Sequence, residues 1–212
     1  RVAGRKQRAK QRQEIDPFDR DETNTFLSWL LTHEPDWHCF YLVWIDCGFR
    51  IGEQCALKWE HLRAEEGRYH VAEQTLQRPT NTFASPKDDS FGDVALSEES
   101  LAALGEWREK DNGENPRGLI FHSNGNAYNH HKIRAHFYRL LDRAGIRRRK
   151  PHQLRHSCAS MMIADGKTIL QVQGQLRHAN PEITMRVYSH LYPKDLRPVF
   201  TPKVVEREER VA

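Results

Sequence analysis

The chain has 212 residues, of which 38% are hydrophobic and 29% are charged, and its formal net charge is +4 at pH 7. This length suffices for one sizeable core with a short arm, and the composition is typical of soluble globular proteins. No apolar run approaches the roughly 20 residues that span a bilayer, and none follows the basic N-terminus, so we expect neither a transmembrane helix nor a secretory signal in this sequence.

The first 14 residues carry six cations and no apolar pattern, so we expect a flexible basic linker there. A first residue other than Met suggests a piece of a longer chain. We expect one folded domain over residues 15–193 and a C-terminal tail over 194–212. Cys39, Cys47, Cys55 and Cys158 form no C-x-x-C pair. They are expected to be buried free thiols in a bacterial cytoplasm.

Apolar residues at helical spacing predict three helices in the first part of the domain. The first covers residues 21–31, and the second is built on the apolar run 40–45 and stops at Gly48. A third is predicted from about Arg50 to Trp59. Arg50 and Glu53 would share one face of that helix, because they stand three residues apart.

A small antiparallel sheet and further helices are predicted after these. The strands are residues 69–75 and 94–96, joined by a turn-rich segment that carries Lys87. Residues 118–121 form a short extended piece. The predicted fold class is therefore α+β, mainly helical with one small antiparallel sheet. Start and stop signals predict five later helices. Ser97 precedes the first, Gly145 follows the second, and Pro151 and Gly166 flank the third. Thr168 precedes the fourth, and Asn180-Pro181 precedes the last.

Basic residues are concentrated between positions 130 and 156. Nine Lys or Arg residues stand there against one acid, Asp142, together with five histidines. Because apolar residues at helical spacing run through the same stretch, we expect it to be folded. Such a block can neutralise several phosphates, which favours a nucleic acid as the partner.

Four short motifs hold side chains that suit phosphate chemistry. They are G-F-R-I-G-E at 48–53, H-Q-L-R-H at 152–156, L-R-H at 176–178 and V-Y-S-H at 187–190. In the second motif His152, Arg155 and His156 fall on one helix face. An Arg guanidinium matches two phosphate oxygens, and a His exchanges a proton near neutral pH.

In this order the motifs make the chain resemble the tyrosine recombinase family, especially phage and genomic-island integrases, over about residues 15–195. The resemblance implies site-specific cleavage and rejoining of DNA through a covalent 3′-phosphotyrosine, with no metal and no cofactor. By position, Arg50 and Arg155 match the two arginines that clamp the scissile phosphate. Tyr188 matches the nucleophile.

The resemblance implies further roles at the same site. His152 matches the general base or a phosphate contact, and His178 matches a second residue that hydrogen-bonds the phosphate. Lys87 best matches the hairpin lysine that protonates the leaving 5′ oxygen. We expect Glu53 to orient an arginine and His156 to act as a structural partner of the site.

Two features depart from the family pattern. Arg177 stands where glycine is usual, so we expect a different local turn and an added contact of Arg177 with the DNA backbone. The hairpin reads Phe-Gly-Asp at 91–93, where a basic residue is common. The two acids at 88–89 disfavour proton release from Lys87.

Other readings of the chain stay open. His130, His131 and His136 lack a carboxylate or thiol at ligand spacing, so no metal site is expected among them. One alternative is a type IB topoisomerase-like enzyme that only relaxes DNA. Another is a DNA-binding protein that keeps the fold without catalysis.

The resemblance also implies an assembly. The partner would be double-stranded DNA at a crossover site, on which a homotetramer of the full-length protein would exchange strands, whereas the isolated fragment would be monomeric. No membrane partner is expected. The tail would dock onto a neighbouring subunit through its apolar residues Val199, Phe200, Val204 and Val205.

Overall fold

The computed structural model describes residues 15–87, 90–111 and 113–178 together with Tyr188. Helices dominate this part of the chain, and the strands are short, which confirms the predicted fold class. The helices are α1 (Arg20–His33), α2 (Pro35–Cys47), α3 (Ile51–Gln54), α4 (Glu98–Lys110), α5 (His130–Arg143), α6 (His152–Ala164) and α7 (Ile169–Leu176). The strands are β1 (Leu62–Arg63), β2 (Arg68–Val71), β3 (Gln74–Thr75), β4 (Phe83–Ala84), β5 (Gly92–Ala95), β6 (His122–Ser123) and β7 (Asn126–Ala127).

The described residues also form three small antiparallel sheets. The largest has the order β1-β2-β5, with Tyr69 of β2 opposite Leu62 on one side and Val94 on the other. The pairs β3-β4 and β6-β7 form two further sheets. The loop between β4 and β5 carries Lys87, so the predicted place of this lysine beside the sheet is confirmed.

The core is built around α2, which packs against α1, α4 and α6. Its sequence is apolar on nearly every side, as expected of a helix with neighbours all around it. Phe40, Tyr41 and Trp44 are buried, and Phe26 of α1 meets Phe137 of α5 edge to face, with ring centroids 5.9 Å apart. The four cysteines are buried free thiols, as predicted.

Local sequence signals set most helix ends. Ser97 Oγ accepts the backbone N–H of Ser100 at the start of α4, as predicted. Thr168 forms a reciprocal capping box with Gln171 at the start of α7, which confirms the predicted cap. Asp19 forms the same arrangement with Glu22 at α1. These bonds satisfy backbone N–H groups that a helix leaves without an internal partner.

The helix predicted from Arg50 to about Trp59 is wrong in its length. α3 ends at Gln54, and a 3-10 turn over Trp59–His61 follows a short extended stretch. In that stretch the Leu57 carbonyl accepts the N–H of Ile120, and Lys58 forms a bridge with Leu119. Pairing with a distant segment thus competes successfully with helical propensity.

The single strand predicted over residues 69–75 is also wrong, because the chain breaks it into β2 and β3. β2 pairs with β1 and β5, whereas β3 leaves that sheet to pair with β4. Thr75 of β3 is buried, and its hydroxyl donates to the carbonyl of Gly52. The break therefore brings β3 against α3.

Gly48 ends α2 in the left-handed conformation, with φ 65°. A Cβ there would lie 2.9 Å from Leu176 Cδ2 and 3.1 Å from Cys158 Sγ. We expect Gly48→Ala to lower the free energy of unfolding by at least about 2 kcal/mol, because it adds a clash to the backbone strain. Urea denaturation measures the loss. Gly145→Ala is the matched control, since Gly145 has φ 68° but open space around it; an equal loss in both would contradict the close packing at Gly48.

Several predictions lie outside the described residues. They concern the linker over 1–14, the tail over 194–212 and the helix predicted to start at Asn180-Pro181. Within the described part, no helix has the length and apolar character that crossing a membrane requires.

Candidate active site

Arg50 precedes α3 and is held by Glu53. The Glu53 carboxylate accepts the Arg50 backbone N–H at 2.8 Å and Arg50 Nη1 at 2.7 Å. Arg50 Nη1 also donates to Ser90 Oγ at 2.7 Å. The Arg50 side chain is 23% exposed and that of Glu53 fully buried. One edge of the guanidinium is thus anchored, while part of it stays accessible to a ligand.

Arg155 lies in α6 and joins three segments of the fold. Nη1 donates to the carbonyl of Gly48 at 2.7 Å, and Nη2 donates to the carbonyl of Leu176. Gly48 ends α2 and Leu176 ends α7, so the guanidinium ties both to α6. Burial, followed by the charge of Arg50, lowers the pKa of Arg155 to about 9. The side chain therefore remains a cation at neutral pH.

Glu53 is the anion among three arginines. Burial alone would raise the pKa of its carboxyl, but the charges of Arg177, Arg155 and Arg50 outweigh burial and hold the pKa below its usual range. The carboxylate is therefore ionised at neutral pH. Because cations outnumber this anion, the cluster keeps an excess of positive charge.

Three histidines adjoin the arginines. The rings of His152 and His156 lie 4.8 Å apart on α6, and His178 follows α7. Burial, reinforced by neighbouring cations, lowers the pKa of His152 and of His156 to about 4 and that of His178 to about 3. Each ring is neutral at pH 7 and offers one nitrogen as an acceptor. His152 is exposed at the surface of α6, whereas His156 and His178 are half-buried, so solvent screens the neighbouring charges most at His152.

Tyr188 is 1% exposed and packs in a small core with Cys158 and Leu176. Its Oη lies 2.5 Å from Nδ1 of His156. Burial raises the pKa of the phenol above its usual range, opposed in part by the charge of Arg155. The hydroxyl is therefore protonated at neutral pH and shares a hydrogen bond with a neutral imidazole, to which it donates in the tautomer whose Nδ1 carries no proton.

Lys87, the predicted proton donor, is exposed in the loop between β4 and β5. Its carbonyl accepts Ser90 Oγ at 2.8 Å, and Ser90 Oγ in turn accepts from Arg50. The backbone of this loop is thus tied to Arg50. The acidic neighbours at 88–89 lie outside the described residues.

The two expectations for Arg177 are wrong. Its φ of 51° and ψ of 47° are the left-handed values that a glycine would adopt there, so the turn that ends α7 is the ordinary one. Its side chain is 3% exposed and pairs with Glu53 at 2.5 Å, while Nε donates to the carbonyl of Ser90 at 3.2 Å. The guanidinium is enclosed by protein and is therefore not exposed for a contact with the DNA backbone.

The basic block, residues 130–156, offers less free positive charge to phosphates than its composition indicates. Four of its arginines pair with acids, which lowers the charge that the block can offer to phosphates. The pairs are Arg143 with Glu34, Arg147 with Asp16, Arg148 with Asp142 and Arg149 with Glu22.

Four further cations of the block are exposed besides these paired arginines. They are Lys132, Arg134, Arg139 and Lys150. Arg134 and Lys150 line a cavity of about 370 Å³ that also borders His152. These two side chains therefore add positive charge beside His152.

The three histidines weighed as metal ligands contact different partners. His130 Nε2 lies 2.8 Å from Thr75 Oγ1, His131 Nε2 lies 2.8 Å from the Gln77 side-chain nitrogen, and His136 Nδ1 lies 3.2 Å from Tyr41 Oη.

One group of potential metal ligands is found among the residues that the structure describes. Glu60, His61 and Glu73 bring their ligand atoms within 4.8 Å of one another. Lys58 Nζ, however, lies 2.5 Å from Glu73 and 3.7 Å from Glu60. One ammonium group therefore already occupies this cluster and offsets part of the charge of its two carboxylates.

Sequence reasoning missed two features of the site. Nothing in the sequence marks Ser90, which contacts Arg50 from a loop distant in the chain. The contact between His156 and Tyr188 had a partial signal, because His156 shares a helix face with His152 and Arg155.

Comparison with known proteins places these residues in a family. The model of the phage integrase family matches residues 18–195. A XerC-like tyrosine recombinase of Caldanaerobacter subterraneus subsp. tengcongensis is 26% identical over an alignment 204 positions long, which covers 85% of this chain and 52% of that protein. XerC of Xanthomonas axonopodis pv. citri is 28% identical, over 74% of this chain and 48% of that protein. The chain spans about half the length of these curated relatives.

Solved structures have the same fold. The integrase of the transposon Tn1549, in complex with a circular intermediate DNA, superposes with a TM-score of 0.75 at 19% identity, over 87% of this chain and 63% of that one. XerA recombinase superposes with a TM-score of 0.68 at 23% identity, over 86% of this chain and 66% of that one. With the family model covering most of its length and the four motifs in order, the chain belongs to the phage integrase family of tyrosine recombinases.

Proposed function

We propose that the chain cleaves and rejoins DNA strands at a specific site, with Tyr188 as the nucleophile. The observation that carries the proposal is the contact of the Tyr188 hydroxyl with His156, beside arginines whose positive charge exceeds that of their one anion. The neighbouring proteins include a transposon integrase in complex with DNA, and the family match supports the same reaction class.

Attack by Tyr188 requires removal of its proton, because burial keeps the phenol neutral. His156 Nδ1 accepts that proton as Tyr188 Oη bonds to the phosphorus atom, which leaves the DNA 3′ end attached to the tyrosine. The bond to the 5′ oxygen breaks in the same displacement. Rejoining reverses these steps, with a 5′ hydroxyl as the attacking group.

Negative charge grows on the phosphate during this displacement. Arg50 and Arg155 supply fixed cations at the site, and His178 is an uncharged ring beside them that can contact the phosphate. We propose that these groups take the place of a metal ion, because fixed guanidinium groups stabilise such charge as it develops. Adduct formation is then unaffected by a chelator such as EDTA.

The leaving 5′ oxygen needs a proton, and Lys87 is our candidate donor. Its loop is fastened to Arg50 through Ser90, so the ammonium group stands on a segment that phosphate binding would steady. Lys87→Met should slow cleavage of a normal strand. It should have little effect when the bridging 5′ oxygen is replaced by sulfur, because a thiolate leaves without protonation.

The proposal is tested with nicked duplexes tiled across the DNA that flanks the gene. A nick beside the cleavage position lets the short product diffuse away, which traps the covalent complex. We expect the unaltered chain to form an adduct that survives denaturant, and Tyr188→Phe to form none while binding DNA with similar affinity. An adduct of equal yield in Tyr188→Phe would overturn the assignment.

Removal of His156 is expected to slow adduct formation by about 10²–10⁴-fold, the usual contribution of a positioned base. His136→Ala is the matched control, because His136 also contacts a buried tyrosine and also has a pKa lowered to about 4. We expect the control to cleave at the normal rate. Equal rates in His156→Ala and His136→Ala would remove His156 from the mechanism.

The pH dependence follows from the low pKa of His156. At low DNA concentration the cleavage rate reports groups of the free protein. His156 stays neutral until the pH approaches about 4, so the rate should be level between pH 8 and 5.5 and fall only as the ring gains a proton below that. A decline centred near pH 6.5 would instead indicate an unperturbed histidine.

The products separate the proposal from its rivals. Recombinant junctions between two sites indicate a recombinase, whereas relaxed circles alone indicate a topoisomerase-like enzyme. Binding without any adduct indicates a non-catalytic DNA-binding protein. We further propose that a tetramer on two duplexes exchanges the strands, which sizing of the complex on paired sites would test. A tail deletion that leaves this assembly unchanged would remove the proposed docking of residues 194–212.

A further inference from the structure

We propose that Arg177 is a positioning residue for Arg50. It holds the two groups that hold Arg50, namely the Glu53 carboxylate and the loop at Ser90. This inference rests on the proposed function in one respect only, the role of Arg50 as a phosphate ligand. It assigns a task to a side chain that stands where the family pattern has glycine.

The carboxylate of Glu53 is gripped from two sides. Oε1 accepts Arg50 Nη1 at 2.7 Å, whereas Oε2 accepts both the Arg50 backbone N–H at 2.8 Å and Arg177 Nη2 at 2.5 Å. Since the Glu53 side chain is fully buried, neither oxygen can turn to water without moving its partners. Arg177 therefore restricts the orientation of the group that aligns Arg50.

Ser90 provides a second bridge between the same two arginines. Its hydroxyl accepts Arg50 Nη1 at 2.7 Å, and its carbonyl accepts Arg177 Nε at 3.2 Å. Arg177 thus contacts both anchors of Arg50, one through each end of its guanidinium. The same bond fastens the loop that carries Lys87.

The backbone and the packing are arranged around this side chain. Arg177 adopts φ 51°, a conformation that residues with a Cβ rarely take. A Cβ built at Gly92 would lie 3.6 Å from Arg177 Cδ, so the bare backbone of Gly92 borders the stem, and the guanidinium lies 5.7 Å from the Phe49 ring. The two departures from the family pattern, at 177 and at 91–93, therefore lie side by side.

Arg177 and Arg50 differ in exposure, and this difference indicates that they have different tasks. The Arg177 side chain is 3% exposed, so it is enclosed by protein, whereas that of Arg50 is 23% exposed. Loss of Arg177 should consequently alter the rate of the chemical step and leave DNA affinity nearly unchanged. If Arg177 contacted DNA, its loss would lower DNA affinity and leave the rate nearly unchanged. If Arg177 were only structural, its loss would alter stability alone.

The experiment compares Arg177→Met, Arg177→Gly and Arg177→Lys in single-turnover cleavage at saturating DNA. We expect Met and Gly to lower the rate by about 10- to 100-fold, the scale set by small misplacements of a catalytic group. DNA affinity should change less than about 3-fold, within the range of a site remote from the ligand. Lys should recover part of the rate, because its ammonium group can still pair with Glu53. Glycine suits the backbone, so a loss in that variant reports the missing guanidinium.

Arg149→Met is the matched control. Arg149 is also a buried arginine, 4% exposed in its side chain, and its acidic partners are Glu22 and Asp16. Its loss removes a buried ion pair without touching Arg50. We expect lower stability and a normal cleavage rate. Rates in Arg177→Met and Arg177→Gly that match the control, or a loss of affinity at constant rate, would overturn the inference.

A second measurement does not depend on cleavage. NMR of the arginine side-chain N–H groups reports whether Arg50 is held, with Arg50→Lys used to assign its signals. We expect protected Arg50 signals in the unaltered chain and in Arg149→Met, and averaged, rapidly exchanging signals in Arg177→Met. Unchanged Arg50 signals would overturn the inference. If the unaltered chain formed no DNA adduct, the proposed function would fail, and these spectra would still decide whether Arg177 positions Arg50.

Discussion

Arg155→Lys is expected to lower the rate of DNA cleavage by about 10²–10³-fold, the usual cost of removing a preorganised donor from a developing charge. Lysine keeps the positive charge but lacks the planar fork that reaches two acceptors at once. In this protein the fork donates to the carbonyls of Gly48 and Leu176. A lysine ammonium group that turned toward one carbonyl would leave the other without its donor.

The same change should also lower stability, because buried carbonyl groups lose their donors. A buried acceptor left without a partner costs about 1–3 kcal/mol. Urea denaturation measures this loss, and a suicide duplex measures the cleavage rate. Arg149→Lys is the control, since it changes an equally buried arginine whose bonds lie at α1. Cleavage by Arg155→Lys at the control rate would contradict the role of the fork.

Glu53→Gln is expected to lower the free energy of unfolding by about 3–5 kcal/mol, as when one partner of a buried ion pair is removed. Gln keeps the shape of the side chain but not its charge. It would leave Arg177, 3% exposed, facing a neutral amide. Asp165→Asn is the comparison, because its pair with Arg20 is more than half exposed on both sides and should contribute less than about 1 kcal/mol.

The pH dependence of this loss follows from the lowered pKa of the Glu53 carboxyl. A group whose folded-state pKa lies below its unfolded value contributes stability that is complete above the unfolded value, near 4.5. The contribution disappears as the pH falls through the folded-state pKa. The difference in stability between the unaltered chain and Glu53→Gln should thus be full at pH 7 and shrink below pH 4.5. A difference that did not depend on pH would show that charge is not its cause.

The sequence predicts most helices of this fold because their ends are local signals. Gly48, Ser97 and Thr168 each stop or start a helix through their own backbone or side chain. α3 is shorter than its propensity indicates, since residues 57 and 58 pair with a segment sixty positions later. That partner is invisible to any window of neighbouring residues.

The candidate site likewise combines residues that local motifs predict with contacts between distant residues that they do not predict. The ordered motifs predict Arg50, Arg155 and Tyr188 as site residues. In the structure Arg155 belongs to α6, and Tyr188 lies beside that helix, next to Arg155. The burial of Arg177 was not predictable, because its partner Glu53 lies 124 positions away. The pairing of Arg149 with Glu22 joins residues 127 positions apart, so composition overstated the free charge of the basic block.

Mapping the covalent adduct decides whether Tyr188 is the residue that becomes attached to DNA. A suicide duplex with a labelled scissile phosphate is incubated with the chain, the complex is digested with protease and nuclease, and the labelled peptide is identified by mass spectrometry. We expect a phosphate on Tyr188, a free 5′ hydroxyl on the released strand and no label on the Tyr188→Phe protein. A label on another residue, or a 5′ phosphate on the released strand, would contradict it.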